Sequence, residues 1–167
     1  MKIGLIRKRF SPSGGAELYL ERLVHGLLAR GHELHLFAEE WRTIDNRVVF
    51  HPVPTARSRA LKSAFFAEAV RKLVEESGVD RVVSLERTLS QHFYRAGDGV
   101  HKVWLEQKKR FSPWWKLPFV GRGGFHRNML ELERKTFDPA NSKSIIVNSE
   151  MVRREIVSNF HYPTERI

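Results

Sequence analysis

The chain has 167 residues, 41% hydrophobic and 29% charged, which suits one folded domain with a sizeable core and excludes a disordered tail. It contains no cysteine; disulfide scaffolds, thiolate metal sites and cysteine nucleophiles are therefore excluded, and a cytoplasmic address is permitted without being required. The net charge of +10 and the isoelectric point near 10.3 imply attraction to something anionic: nucleic acid, a phospholipid surface or a phosphorylated substrate.

The opening "MKIGLIRKRF" holds an apolar run too short for a leader core or a membrane span, so neither is expected. Lys2 to Ile6 reads as a short buried strand, and "SPSGG" turns the chain. From Ala16, Leu20, Leu23, Val24, Leu27 and Leu28 recur at helical spacing until Gly31. "HELHLFA" alternates as a strand with Leu34 and Leu36 on one side of the pleat, and after the linker "EEWRTIDN" a third strand follows in "RVVFHPV". A second helix spans Ala60 to Ser77, with Leu61, Phe65, Ala69 and Leu73 in register and Gly78 as its cap. "DRVVSLE" gives a fourth strand, "QHFYRAG" a possible fifth, and "SKSIIVNSE" a later one that leads into the helix "EMVRREIVSNF". This order predicts an α/β domain over residues 1–167: a Rossmann-like, doubly wound parallel sheet covered on both faces.

The stretch from Gly97 to Asp138 breaks the rhythm before a helix from about Phe125 to Phe137. Its segment "HKVWLEQKKRFSPWWKLPFVGRGGFHR" carries seven Lys or Arg residues and one acidic residue, interleaved with Trp104, Phe111, Trp114, Trp115, Phe119 and Phe125. Three readings compete. Lys108, Lys109, Arg110 and Lys116 with Trp104, Trp114 and Trp115 suit an anionic membrane surface, where cations meet the leaflet charge and indoles prefer the headgroup boundary. Some of the aromatics suit plain packing. A single-stranded nucleic-acid platform has the same composition, but the chain shows no RNA-recognition, KH or OB signature and its strand order favours a small-ligand cleft.

Glycines between a first strand and a first helix place backbone N–H groups at a helix N-terminus, where a phosphate is favoured. Gly14 and Gly15 read either as a simple turn or as such a ligand loop. No G-x-G-x-x-G and no Walker lysine is present, and Glu17 would repel a second anion. As bare residues, Arg7, Lys8 and Arg9 border this loop and read as anion-binding groups or as solvated charge. Glu86 and Arg87 lie at another strand end. Asp98 stands between two glycines beyond a strand, where open α/β sheets collect functional side chains and where turn aspartates are also ordinary. His101 is either a hydrogen-bonding group or an exposed residue at a helix start. His25, His32 and His35 lack metal-site spacing, so no metal is expected.

The segment "SPSGGAELYLERLVHGLLARGHELHLFA" resembles the opening of the family 4 retaining glycosyltransferases: a strand, a glycine pair followed closely by Glu, a long helix, then Gly-His before the second strand. "SIIVNSEMVRREIVSNFHYPTERI" resembles the end of the same domain, so the resemblance covers nearly the whole chain. Its middle, "YRAGDGVHKVWL" and the basic aromatic stretch, is most similar to the lipopolysaccharide core glucosyltransferases.

The resemblance implies one half of a GT-B fold, the N-terminal acceptor-binding domain, facing a nucleotide-sugar domain that these residues do not include; alone, this half is expected not to turn over substrate and to self-associate. It implies transfer of a hexose or heptose from a nucleotide sugar to a lipopolysaccharide-core or lipid-linked glycan, at the cytoplasmic face of the inner membrane, with no metal or other cofactor. Gly14 and Gly15 would bring N–H groups to the donor diphosphate, Arg7, Lys8, Arg9 and Glu17 would meet the acceptor, and Asp98 and His101 would stand at the reacting centre. In such a front-face reaction the donor phosphate takes the acceptor proton, so neither residue need be a general base. The alternative is a non-catalytic basic module of the same form that binds anionic lipid or nucleic acid.

Overall fold

The computed structural model describes residues 1–9, 15–41, 45–89 and 91–167, without the side chains of Ala16 and Glu17. Among these residues six strands and five α-helices follow in the order β1 (Lys2–Ile6), α1 (Gly15–Leu28), β2 (Glu33–Ala38), β3 (Val48–Pro52), α2 (Lys62–Ser77), β4 (Arg81–Ser84), β5 (Gln91–Ala96), α3 (His101–Arg110), α4 (Gly124–Thr136), β6 (Ser142–Val147) and α5 (Glu150–Phe160). Short 3-10 helices occupy Trp114–Phe119 and Thr164–Arg166. The strands form one parallel sheet in the order β3-β2-β1-β4-β5-β6, the doubly wound arrangement that the strand and helix order predicts.

Helices on both faces explain why consecutive residues of the central strands are buried rather than every second one. Leu5 and Leu36 meet Leu20 and Val24 of α1 in one core, whereas Ile6 and Phe37 meet Phe66 and Val70 of α2 in the other. A third core joins Tyr94, Ile145 and Phe137 to Val152 and Ile156 of α5. Gly4 sits where a Cβ would come within 3.1 Å of the Phe37 ring and 3.3 Å of Val79, so the sheet's central strand needs its missing side chain.

Two expectations are corrected. The apolar face of α2 is set by Phe66, Ala67 and Val70, while Leu61 and Phe65 are exposed; α2 carries two neighbouring apolar stripes, and contact with Phe37 and Ile6 selects one. On β2, His35 and Phe37 are buried beside Leu34 and Leu36, because both pleat faces are covered. The segment after Gly97 also holds a helix, α3, that no capping residue announces: Val100 makes no side-chain cap. The cap comes instead from α4, where the fully buried Glu133 carboxylate accepts the backbone N–H groups of His101 at 2.6 Å and Lys102 at 3.0 Å. A carboxylate there satisfies orphan donors and complements the helix dipole.

Candidate functional site

In a doubly wound sheet the chain leaves β1 and β4 in opposite directions, opening a crevice at their carboxyl ends. Arg7, Lys8 and Arg9 follow β1, Glu39 follows β2, Glu86 and Arg87 follow β4, and Asp98 follows β5. Arg7 Nη1 donates to Glu86 Oε1 at 2.9 Å, and the Lys8 backbone N–H donates to the same oxygen at 3.2 Å. Burial pushes the Glu86 carboxyl above its ordinary range despite the Arg7 charge, and the Asp98 charge adds to the rise. Lys8 Nζ lies 3.9 Å from Glu39 Oε1 and 5.4 Å from the Phe66 ring centre; burial lowers its pKa. Arg9 Nε donates to Glu39 Oε2 at 2.7 Å. Among the described residues Glu39 Oε1 is buried with no hydrogen-bond partner and meets only the Lys8 charge at 3.9 Å.

Below Asp98 the loop is clamped. Arg87 donates through Nε to Glu133 at 3.2 Å and through Nη2 to the Gly99 carbonyl at 2.8 Å. Gly99 has φ +68°, a left-handed conformation that glycine adopts without strain. Asp98 stays exposed at the rim, and α3 starts three residues later with His101. The His101 ring meets His126 of α4, Nε2 to Nδ1 at 3.1 Å. Burial, then the Arg87 and His126 charges, lower its pKa to about 4, so the ring is neutral at physiological pH.

The structure thus gathers Arg7, Lys8, Glu86, Arg87 and Asp98 at one sheet end, with His101 beside them at the start of α3. Lys8, Glu86 and Arg87 also line a small cleft walled by Phe66, Met129 and Leu132. Arg7, Lys8 and Arg9 each meet a carboxylate, Arg7 and Lys8 with largely buried side chains and Arg9 with a half-exposed one. Gly14 lies outside the described residues, as does the Glu17 side chain. Gly15 begins α1, and the space where its side chain would stand is open.

Trp104 and the later aromatics behave differently. Trp104 is 49% exposed and lies against His101, whereas Phe111, Trp114 and Phe119 are 77–79% exposed. Lys108, Lys109 and Arg110 form the last turn of α3, and Lys116 sits in the following 3-10 helix. No helix among the described residues is long and apolar enough to cross a membrane. No group of three His, Asp or Glu side chains among them is placed to hold a metal ion.

Sequence reasoning missed Glu39, Glu133 and His126, whose partners lie 25 to 46 residues away and leave no local pattern. It also missed a polar chain on β2 and β3: Glu33 Oε1 is 3.1 Å from His35 Nε2, and His35 Nδ1 is 2.8 Å from His51 Nε2. Burial lowers the His51 pKa, with His35 adding to the effect.

The sequence profile of glycosyltransferase family 4 matches residues 13–167. No curated protein matches the chain. Among solved structures, that of WaaG, described as a glycosyltransferase involved in lipopolysaccharide biosynthesis, is similar with a TM-score of 0.83 at 18% identity over 98% of this chain. The match covers 43% of the WaaG chain, and at that identity the likeness concerns the fold. Apo UGT2 from Phytolacca americana gives a TM-score of 0.47 at 11% identity, covering 94% of this chain and 48% of its own, which is too low to carry an argument.

Proposed function

This chain belongs to glycosyltransferase family 4, and we propose that it binds the acceptor of a sugar transfer whose donor is held mainly by a second, nucleotide-sugar domain. The observation that carries the reading is the convergence of Arg7, Lys8, Glu86 and Asp98 on the crevice between β1 and β4. Cations paired to carboxylates in a partly buried site exchange partners when an anionic or hydroxyl-rich ligand arrives, and so favour a phosphorylated glycan over an apolar one. The acceptor class is a lipopolysaccharide-core or lipid-linked glycan, in keeping with the involvement of WaaG, the structural relative, in lipopolysaccharide biosynthesis.

Gly14 and Gly15 supply backbone N–H groups toward the donor diphosphate when the two halves close, a stabilisation of leaving-group charge that needs no metal ion. Asp98 and His101 stand at the reacting centre. His101 is held neutral and so serves as a hydrogen-bonding group rather than as a cation. Transfer is retaining, of a hexose or heptose, with the donor phosphate accepting the acceptor proton. Lys108, Lys109, Arg110 and Lys116, with Trp114 and Trp115, rest on the anionic cytoplasmic leaflet and keep the enzyme beside its lipid-linked acceptor.

Titration of the labelled protein with delipidated, phosphorylated core oligosaccharide tests the assignment by backbone amide resonances. Shifts at Arg7, Lys8, Gly15 and Asp98 support it. An oligosaccharide that leaves all four unmoved removes it.

A further inference from the structure

His101, Trp104 and His126 lie together between α3 and α4, with ring centroids 5.3, 5.4 and 6.0 Å apart and planes inclined by 17–30°. Three nearly parallel rings make a tile. The contact between His101 Nε2 and His126 Nδ1 contains a single hydrogen and occupies one nitrogen of each ring. His101 Nδ1, His126 Nε2 and the Trp104 indole N–H have no protein partner among the described residues.

The arithmetic of that shared hydrogen is informative. If His101 donates, its Nδ1 is a bare acceptor and His126 Nε2 carries a hydrogen. If His126 donates, the roles reverse. In either tautomer the neutral pair offers one donor and one acceptor, and the indole adds a second donor. A sugar ring has the matching form: an apolar face of C–H groups that packs on an aromatic surface, and a rim of hydroxyls that each donate and accept. A phosphate would ask for donors only.

We propose that His101, Trp104 and His126 form a platform for one neutral sugar ring of the acceptor, and that Trp104 stacks on this ring instead of anchoring the protein to a membrane. This rests on the acceptor reading above and adds a subsite to it. Asp98 stands three residues before His101, on the loop that Arg87 holds through Gly99, which places the platform next to the reacting centre. The low pKa of His101 keeps that ring uncharged at neutral pH. Trp104 is also less exposed than Trp114, at 49% against 78%, because the imidazole of His101 lies beside it and the Lys108 ammonium lies 4.8 Å over its ring, a place the sugar would take from Lys108.

The test uses the protein with labelled indole and imidazole nitrogens, titrated with delipidated core oligosaccharide and, separately, with phosphatidylcholine vesicles containing phosphatidylglycerol. The oligosaccharide should shift Trp104, His101 and His126 and leave Trp114 and Trp115 in place; the vesicles should broaden Trp114 and Trp115 and spare Trp104. Trp104→Ala should weaken oligosaccharide binding about tenfold and Trp104→Phe less than about threefold, since a phenyl ring keeps most of the stacking. Wild-type affinity in Trp104→Ala, or Trp104 responding to vesicles with Trp114 and Trp115, overturns the platform. If oligosaccharide moves Arg7, Lys8 and Asp98 but none of the three rings, the platform falls while the acceptor reading stands. If it moves nothing, both fall.

Discussion

Two basic regions of this chain use their charge in opposite ways. Around the carboxyl ends of β1 and β4, Arg7 meets Glu86, Lys8 and Arg9 meet Glu39, and Arg87 meets Glu133. Along the end of α3 and the 3-10 helix after it, Lys108, Lys109, Arg110 and Lys116 make no ion pair among the described residues. Paired, partly buried charges fix geometry and are weakly screened; unpaired exposed charges set a field that salt weakens. One chain therefore carries a site built by charge and a surface merely charged, and substitutions should separate them.

The largest effect is expected at Glu133. Glu133→Ala leaves Arg87, whose side chain is 12% exposed, without its counter-charge and removes the cap of α3. Breaking a buried pair costs about 3–5 kcal/mol, so urea unfolding should show a loss of that order. A loss below about 1 kcal/mol would place Arg87 among the solvated charges and erase the contrast.

Replacing Lys108, Lys109 and Arg110 together by Ala should cost about 3 kcal/mol of binding to anionic vesicles, near 1 kcal/mol for each cation, as read by co-sedimentation at low salt. Folding stability should change by less than about 0.5 kcal/mol for each replacement, since all three are exposed. A similar loss on neutral vesicles would mean that the aromatics, not the charge, do the binding. Oligonucleotide affinity that exceeds vesicle affinity and falls log-linearly with salt would favour the nucleic-acid alternative.

Strands and helices were legible because their signals are local. The run Lys2 to Ile6, the spacing of Leu20 to Leu28, and Gly31 and Gly78 in left-handed backbone each announce an element within a few residues. Ser149 likewise caps α5 by accepting from the Val152 N–H. Of helix α3 only a start at His101 was legible, because its cap is Glu133, 32 residues beyond. The site divides along the same line. Asp98 and the cations after β1 could be read from their places at strand ends; Glu39, Glu133 and His126 acquire meaning only once the sheet and α4 bring them to partners. The α2 face could not be chosen from spacing, because Phe65 and Phe66 fit neighbouring stripes equally well until Phe37 selects one.

His101 lies where the two regions join and predicts a smaller, pH-dependent effect. Its folded pKa of about 4 lies below the ordinary 6.5, so between those values the unfolded chain holds the extra proton. The stabilisation is therefore complete above pH 6.5 and is lost as pH falls toward 4. Because the ring is only half-buried, solvent screening reduces the effect to about 1–2 kcal/mol. Urea unfolding at pH 7 and pH 5 should show that slope in the native protein and a shallower one in His101→Gln. Equal slopes would assign the acid sensitivity to His51 and His92, whose pKa values are also lowered by burial.

The smallest expected effect tests where the boundary runs. Arg9 is 48% exposed but donates to a Glu39 side chain that is only 3% exposed, so it has features of both regions. As a surface charge, its loss in Arg9→Ala would cost about 0.5 kcal/mol, and molar salt would abolish the difference. As part of the built site, it would leave Glu39 with Lys8 at 3.9 Å as its remaining ion pair, and the difference would survive salt. The burial of Glu39 favours the second outcome, because a carboxylate withdrawn from water feels its partners through protein rather than through solvent. A salt-resistant loss in Arg9→Ala, beside salt-sensitive vesicle binding through Lys108 to Arg110, would set the edge of the built site at Arg9.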